Sequence, residues 1–173
     1  MDCDKIAHEI YEPGRVCFLK IVDHFGLQVV GDDKQIDRKV LGSIVFGDKK
    51  QLDALNAIIW PELIVEVKRR IKKLSLDPTV KVVVLEAAVL FQAGWETECH
   101  EVWTMIVSAK EAIDRIMNRN NLSEDEARKR ISSQLDNATM ISKANIVFSS
   151  EWSYDFTENQ AFKAWNIILN EIS

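Results

Sequence analysis

The sequence predicts an α/β fold, a parallel sheet flanked by helices, on three observations. Val80, Val82, Val83, Val84 and Leu85 form a nearly continuous apolar run, the pattern of a strand buried on both faces of a parallel sheet. Two further runs of this kind follow, at 101–107 and 144–148. Helical patterns separate them, and strands alternating with helices build layered α/β domains. With 173 residues, 47% of them hydrophobic, the chain suffices for one good core, so a single domain with at most a small excursion is expected.

In chain order, residues 5–11 read as a short helix ending in a turn at Pro13-Gly14. Val16, Phe18, Leu19, Ile21, Val22 and Phe25 give the next helix a broad apolar stripe, and Gly26 is its natural stop. The polar stretch Gly31-Asp32-Asp33-Lys34 precedes Ile36, Val40 and Leu41, and Asp48 precedes the periodic Leu52, Leu55, Ile58 and Ile59. Pro61 fits the first turn of a further helix reaching about Leu74, with Leu63, Ile64, Val67 and Ile71 on one face. Asp77-Pro78 then forces a turn into the first apolar run. Later helices are expected at 109–118, after Ser123, whose spacing to Glu126 is that of a capping box, and from about Glu158. The chain has no internal repeat and no low-complexity segment.

Composition excludes several functions. Twenty-seven acidic against 22 basic residues give a net charge of −5, so no general attraction to nucleic acid or anionic membrane is expected. Lys68, Arg69, Arg70, Lys72 and Lys73 are spread by helical spacing over the face opposite Leu63, Val67 and Ile71, without interleaved aromatics, which reads as a solvated face. Cys3, Cys17 and Cys99 are odd in number and far apart, which fits a reduced intracellular compartment and neither a disulfide framework nor a CxxC knuckle. His8, His24 and His100 lack zinc-site spacing, so surface or capping roles suffice for them. No apolar run approaches the roughly 20 residues needed to span a bilayer. Met1 is followed by Asp2 and Asp4 and not by a targeting pattern, and a start this abrupt leaves open a fragment boundary.

Seven blocks carry a resemblance. They are DCDKIAHEIYEPG at 2–14, IDRKVLGSIVFG at 36–47, LNAIIWP at 55–61, EAAVLFQAGW at 86–95, HEVW at 100–103, RIMNRNNLSEDEARKRISSQ at 115–134 and ANIVFSS at 144–150. In this order, with Phe25-Gly26 between the first two, they resemble the dephospho-CoA kinases, which place two carboxylates at a strand end, then a helix, then Pro-Gly. Trp60-Pro61, where bacterial members usually carry His-Pro, together with the AAVL and AGW wording, resembles the kinase half of animal bifunctional CoA synthases.

The resemblance implies a P-loop nucleotide kinase-like sheet with a helical CoA-binding region at 5–78, core at 79–108 and 144–173, and a helical lid region at 109–143. It implies the last step of coenzyme A biosynthesis, transfer of the ATP γ-phosphoryl group to the ribose 3′-hydroxyl of dephospho-CoA, with magnesium. Asp4 matches the family's catalytic base, although an Asp there is equally an N-cap for the helix at 5–11. Asp2 either orients magnesium through water or faces solvent. Arg115 and Arg119, four apart, would aim two guanidinium groups from one helix face at phosphate, with Arg128 and Arg130 following in the lid. Local ion pairs with Glu124, Asp125 and Glu126 are the alternative for some of these arginines. Glu86 ends the first strand, beside the acceptor pocket or as the first solvated residue beyond it. Arg38, Asn56, Trp60 and Pro61 fall in the CoA-binding region, where Trp60 is as readily core as ligand contact. Gln92 stands where the family commonly has Glu, which puts any acid role there in doubt.

The resemblance also implies a feature that the chain does not contain. A Walker A loop needs G-x-x-x-x-G-K-[ST], whose amides, lysine and hydroxyl hold phosphates and magnesium. Gly42 and Gly47 have the spacing, but Asp48 stands in the lysine position and would repel phosphate. In the family the loop and its strand precede the segment that starts here at Asp2. The expectation is a chain without the first strand and P-loop, inactive alone and unstable unless the sheet is completed. A non-catalytic CoA-binding or regulatory module and a truncated gene product are the alternatives. An upstream adenylyltransferase domain is the partner implied by the animal-type wording, with a cytoplasmic location or mitochondrial association.

Overall fold

The structure, a computed structural model, describes residues 1–132 and 134–172. Ser133, within the 115–134 block, and the terminal Ser173 lie outside the described residues. The chain divides into two compact units, Met1–Ala88 and Val89–Ser173.

The first unit is helical. Asp2 Oδ1 accepts the N–H groups of Asp4 (3.0 Å) and Lys5 (3.1 Å), so α1 (Cys3–Ile10) starts two residues earlier than expected, with Asp2 and not Asp4 as its cap. Its buried face is Cys3, Ile6 and Ile10. Helix α2 (Val16–Phe25) buries Cys17, Ile21 and Phe25 and stops at Gly26, whose φ of 82° suits glycine. Asp37 caps α3 (Arg38–Val45) and Asp48 caps α4 (Lys49–Leu74). Burial raises the Cys17 thiol pKa to about 11, with the Glu62 charge adding to the effect.

Helix α4 corrects one expectation. Pro61 does not open a new helix but lies inside a continuous 26-residue one. Proline removes the N–H that would reach the Ala57 carbonyl, which normally breaks a helix. The break is overcome because α1, α2 and α3 all pack on α4, which buries Leu55 ahead of the proline and Leu63 and Val67 after it. The basic cluster on α4 is exposed at Lys68, Arg69, Lys72 and Lys73, as expected of a solvated face, and only Arg70 is half-buried. Glu66 accepts from Arg69 Nε (2.7 Å) and Nη2 (2.8 Å) and from Arg70 Nε (2.7 Å), and Arg70 Nη2 reaches Glu9 on α1.

Val80–Leu85 is the second correction. It is no strand but an extended segment whose one bridge pairs Glu86 with Asp2, through Cys3 N–H to the Glu86 carbonyl (2.9 Å) and Glu86 N–H to the Met1 carbonyl (2.8 Å). The ladder ends there because the chain turns at once into α1. Without a ladder on both flanks, the apolar run is not buried on both faces, and Val84 is 64% exposed.

In the second unit, β1 (Trp103–Ile106) and β2 (Ile146–Ser149) pair in parallel, Trp103 opposite Ile146 and Ile106 opposite Ser149. They are the strands expected at 101–107 and 144–148, shortened and mostly half-buried, with Phe148 the buried position. Helix α5 (Ala109–Asn120) is capped by Ser108 and ends at Asn121 in the left-handed region. Helix α6 (Glu124–Ser132) has the expected capping box: Ser123 N–H donates to Glu126 Oε2 (2.9 Å) and Glu126 N–H to Ser123 Oγ (3.4 Å). A short α7 (Asn137–Lys143), absent from the sequence expectations, packs by β1. Helix α8 (Tyr154–Ile172) starts four residues before Glu158 and packs by β2.

Candidate functional site

The first unit gathers acidic groups at the start of α1. Asp2 is the register partner of Glu86, and Asp4 stands in the first helical turn. The Asp2 carboxylate is fully engaged, Oδ1 by the two capping N–H groups and Oδ2 by Lys5 Nζ (3.2 Å), and these contacts hold its pKa below the usual carboxylate value. Asp4 is exposed, and among the described residues its carboxylate meets no donor or cation. Capping by Asp2 therefore leaves Asp4 chemically available.

From Asp4 the same face of α1 runs through His8 to Tyr11, spacings of four and seven that a helix aligns. The Tyr11 ring meets the His8 ring edge-on, with centroids 5.8 Å apart and planes at 69°. Burial raises the Tyr11 phenol pKa, partly opposed by the Arg38 charge. Arg38, placed by the Asp37 cap at the first position of α3, brings Nη1 to 2.8 Å from His8 Nε2 and 3.3 Å from Nδ1. His8, Glu9, Tyr11, Glu12, Gln35, Ile36 and Arg38 line a cleft of about 150 Å³. Asn56 and Trp60 are half-buried and Pro61 exposed on α4, and none of them lines this cleft. Sequence reasoning gave His8 only a surface or capping role; the spacing Asp4, His8, Tyr11 was the signal that could have placed it.

The second unit holds the arginines. Arg115 and Arg119 share a face of α5, but their surroundings differ. Arg115 donates from Nε to Glu111 (2.7 Å), from Nη1 to Ser150 Oγ (3.1 Å) and from Nη2 to the Ser150 carbonyl (2.5 Å). Its helix is tied to β2 a second time, because Glu151 accepts from Ser108 N–H and Oγ–H, both at 2.8 Å. Those two donors, helped by the Arg115 charge, hold the Glu151 pKa low. Arg119 is exposed, and its guanidinium donates to the neighbouring Asn120 Oδ1 (3.2 Å). Arg128 pairs locally with Glu124, as the alternative reading held, and Arg130 is exposed on α6.

No group of three His, Cys, Asp or Glu side chains among the described residues converges closely enough to hold a metal ion. With the Asp2 oxygens engaged, no magnesium cage is preformed among the described residues, and Asp4 is an exposed carboxylate nearby. Among the described residues no helix is long and apolar enough to cross a membrane.

The chain is similar to known proteins over nearly its whole length. A dephospho-CoA kinase of Carboxydothermus hydrogenoformans is 36% identical over 160 residues, 92% of this chain and 77% of the relative. One from Bacillus thuringiensis is 34% identical over 171 residues, 97% and 85% of the two chains. The solved dephospho-CoA kinase of Campylobacter jejuni superposes with a TM-score of 0.69 at 27% identity, covering 97% of this chain and 83% of that one. The crystal structure of TT1252 from Thermus thermophilus gives 0.74 at 25% identity, covering 100% and 84%. The family description "Dephospho-CoA kinase" matches residues 1–154, which contain the α1 carboxylates, the Arg38 cleft and the α5 arginines: the chain belongs to the dephospho-CoA kinase family.

Proposed function

We propose that this chain handles the acceptor in the dephospho-CoA kinase reaction, binding dephospho-CoA and presenting its ribose 3′-hydroxyl to Asp4, with ATP as the phosphoryl donor. The observation that carries the reading is the exposed, unpartnered Asp4 carboxylate, held on the first turn of α1 while Asp2 does the capping. As the hydroxyl oxygen attacks the γ-phosphorus, its proton passes to Asp4, the new O–P bond forms, and the bond from phosphorus to the ADP oxygen breaks. In the second unit, Arg119, exposed on α5, is the first candidate for a phosphate ligand. Arg115 would exchange the Ser150 carbonyl for phosphate, and Arg130 adds charge from α6. Arg38, Asn56, Trp60, Pro61 and Glu86 are the acceptor-binding candidates.

Magnesium, when bound with ATP, neutralises phosphate charge. Hard cations of this size keep several waters, so Asp2 fits it through water and not as a direct ligand. No stretch of the 173 residues completes a Walker A loop, and this favours a second reading, a non-catalytic module that binds CoA. Trp60-Pro61 and the EAAVLFQAGW wording support a place beside the kinase half of animal CoA synthases, with an upstream adenylyltransferase domain as partner and a cytoplasmic setting.

Separate calorimetric titrations with dephospho-CoA and Mg-ATP test these readings, together with ATP-dependent conversion of dephospho-CoA to CoA by the purified chain. The expected result is binding of dephospho-CoA with negligible conversion. Absence of dephospho-CoA binding overturns the acceptor role, and substantial conversion overturns the non-catalytic reading. Binding of dephospho-CoA but not of Mg-ATP identifies the non-catalytic module.

A further inference from the structure

Arg38 differs from four other arginines of the chain in the group it faces. Arg69, Arg70, Arg115 and Arg128 each face a carboxylate. Arg38 faces the His8 imidazole, an uncharged acceptor when Nε2 is unprotonated, and among the described residues it meets no carboxylate. An ion pair both aims and neutralises a guanidinium; a neutral ring aims it and leaves its charge unspent. The charge stands at the wall of the roughly 150 Å³ cleft. Two carboxylates, Glu9 and Glu12, also line the cleft; Glu9 is paired with Arg70, which holds its pKa low, and Glu12 is exposed. The ring is fixed on its other side by the edge-on contact with Tyr11. Along α1, His8 lies about 6 Å beyond Asp4 on the same face. A ligand whose hydroxyl sits at Asp4 therefore extends toward Arg38.

We propose that Arg38 binds the pyrophosphate of the acceptor nucleotide and that His8 is a positioning residue, which holds the guanidinium toward the cleft without neutralising it. This rests on the acceptor role proposed above. His8 acts only through Arg38, so its loss matters only while Arg38 is present.

The test is a double-variant cycle read as the Kd for dephospho-CoA by calorimetry, with thermal melts as a control for folding. His8→Ala is expected to weaken binding about tenfold and Arg38→Ala at least as much, the usual scale for a charge-assisted contact. The double variant should bind no more weakly than Arg38→Ala alone. His8→Gln, which keeps a side-chain acceptor, should recover binding to within about threefold of the unmodified chain. Additive losses, or an unchanged Kd for His8→Ala, overturn the role of His8 while leaving the acceptor site standing. An unmodified chain that does not bind dephospho-CoA overturns the acceptor site and this proposal with it.

Discussion

Glu66 collects three guanidinium N–H groups from Arg69 and Arg70 while its side chain is only 14% exposed. These bonds, the Arg69 one foremost, bring its pKa to about 2 against the desolvation that opposes them. A carboxyl depressed in this way contributes stability above its unfolded pKa, and the contribution disappears as pH falls from the ordinary carboxylate range, about 4.5, through about 2. Glu66→Gln should therefore lower the unfolding free energy by about 2–3 kcal/mol at neutral pH. Urea denaturation at a series of pH values checks this: the gap between variant and parent should close between pH 4.5 and 2. A gap independent of pH would mean that shape, and not charge, holds the site. Other side-chain roles were open to sequence reasoning where the partners are neighbours. Asp37, Asp48, Ser108 and the Ser123–Glu126 pair all cap the helices that follow them, because a cap is written within four residues. The His8–Arg38 contact spans thirty residues, and no local rule predicts it.

Helix α4 is about 39 Å long, at 1.5 Å per residue, and it is the surface on which the first unit is assembled. Its passage through Pro61 could not be read from sequence, since proline signals a helix start or stop unless packing overrides it, and packing against three helices is a tertiary fact. The Ala57 carbonyl one turn earlier lacks the N–H donor that any other residue at 61 would supply, which is a local cost. Pro61→Ala restores the missing N–H, and we expect it to raise the unfolding free energy by about 1–3 kcal/mol, measured by chemical denaturation. A loss of stability would show instead that α1, α2 and α3 are fitted to the proline's bend. Val80–Leu85 was misread for the complementary reason. Its composition is that of an interior strand, but composition cannot say whether neighbours are present, and among the described residues it is met by the Met1 amino group at the Val84 carbonyl and, just beyond its end, by the bridge from Asp2 to Glu86.

At the scale of the molecule, the parallel pair β1–β2 has no third strand among the described residues, although parallel sheets occur almost only as larger, covered assemblies. Met105, Trp152, Tyr154, Phe156 and Phe162 of the same unit are exposed, Tyr154 at 80% and Phe162 at 60%. Open strand edges and apolar side chains together favour self-association. Light scattering should give an apparent mass that rises above 19.8 kDa as the chain is concentrated toward about 0.1 mM, and a constant monomer mass would contradict this. The layered α/β class and the two pairing strands were legible because alternation of apolar runs with helical periods survives in any one sequence. The division into two units was not, because it depends on which strands find partners. The buried thiol of α2 turns that division into something that can be timed. With a pKa near 11, Cys17 carries very little thiolate at neutral pH, and alkylation needs thiolate as well as access. A maleimide should therefore modify the half-buried Cys99 first and reach the buried Cys3 and Cys17 only when the first unit opens, so that the slow phase clocks that opening.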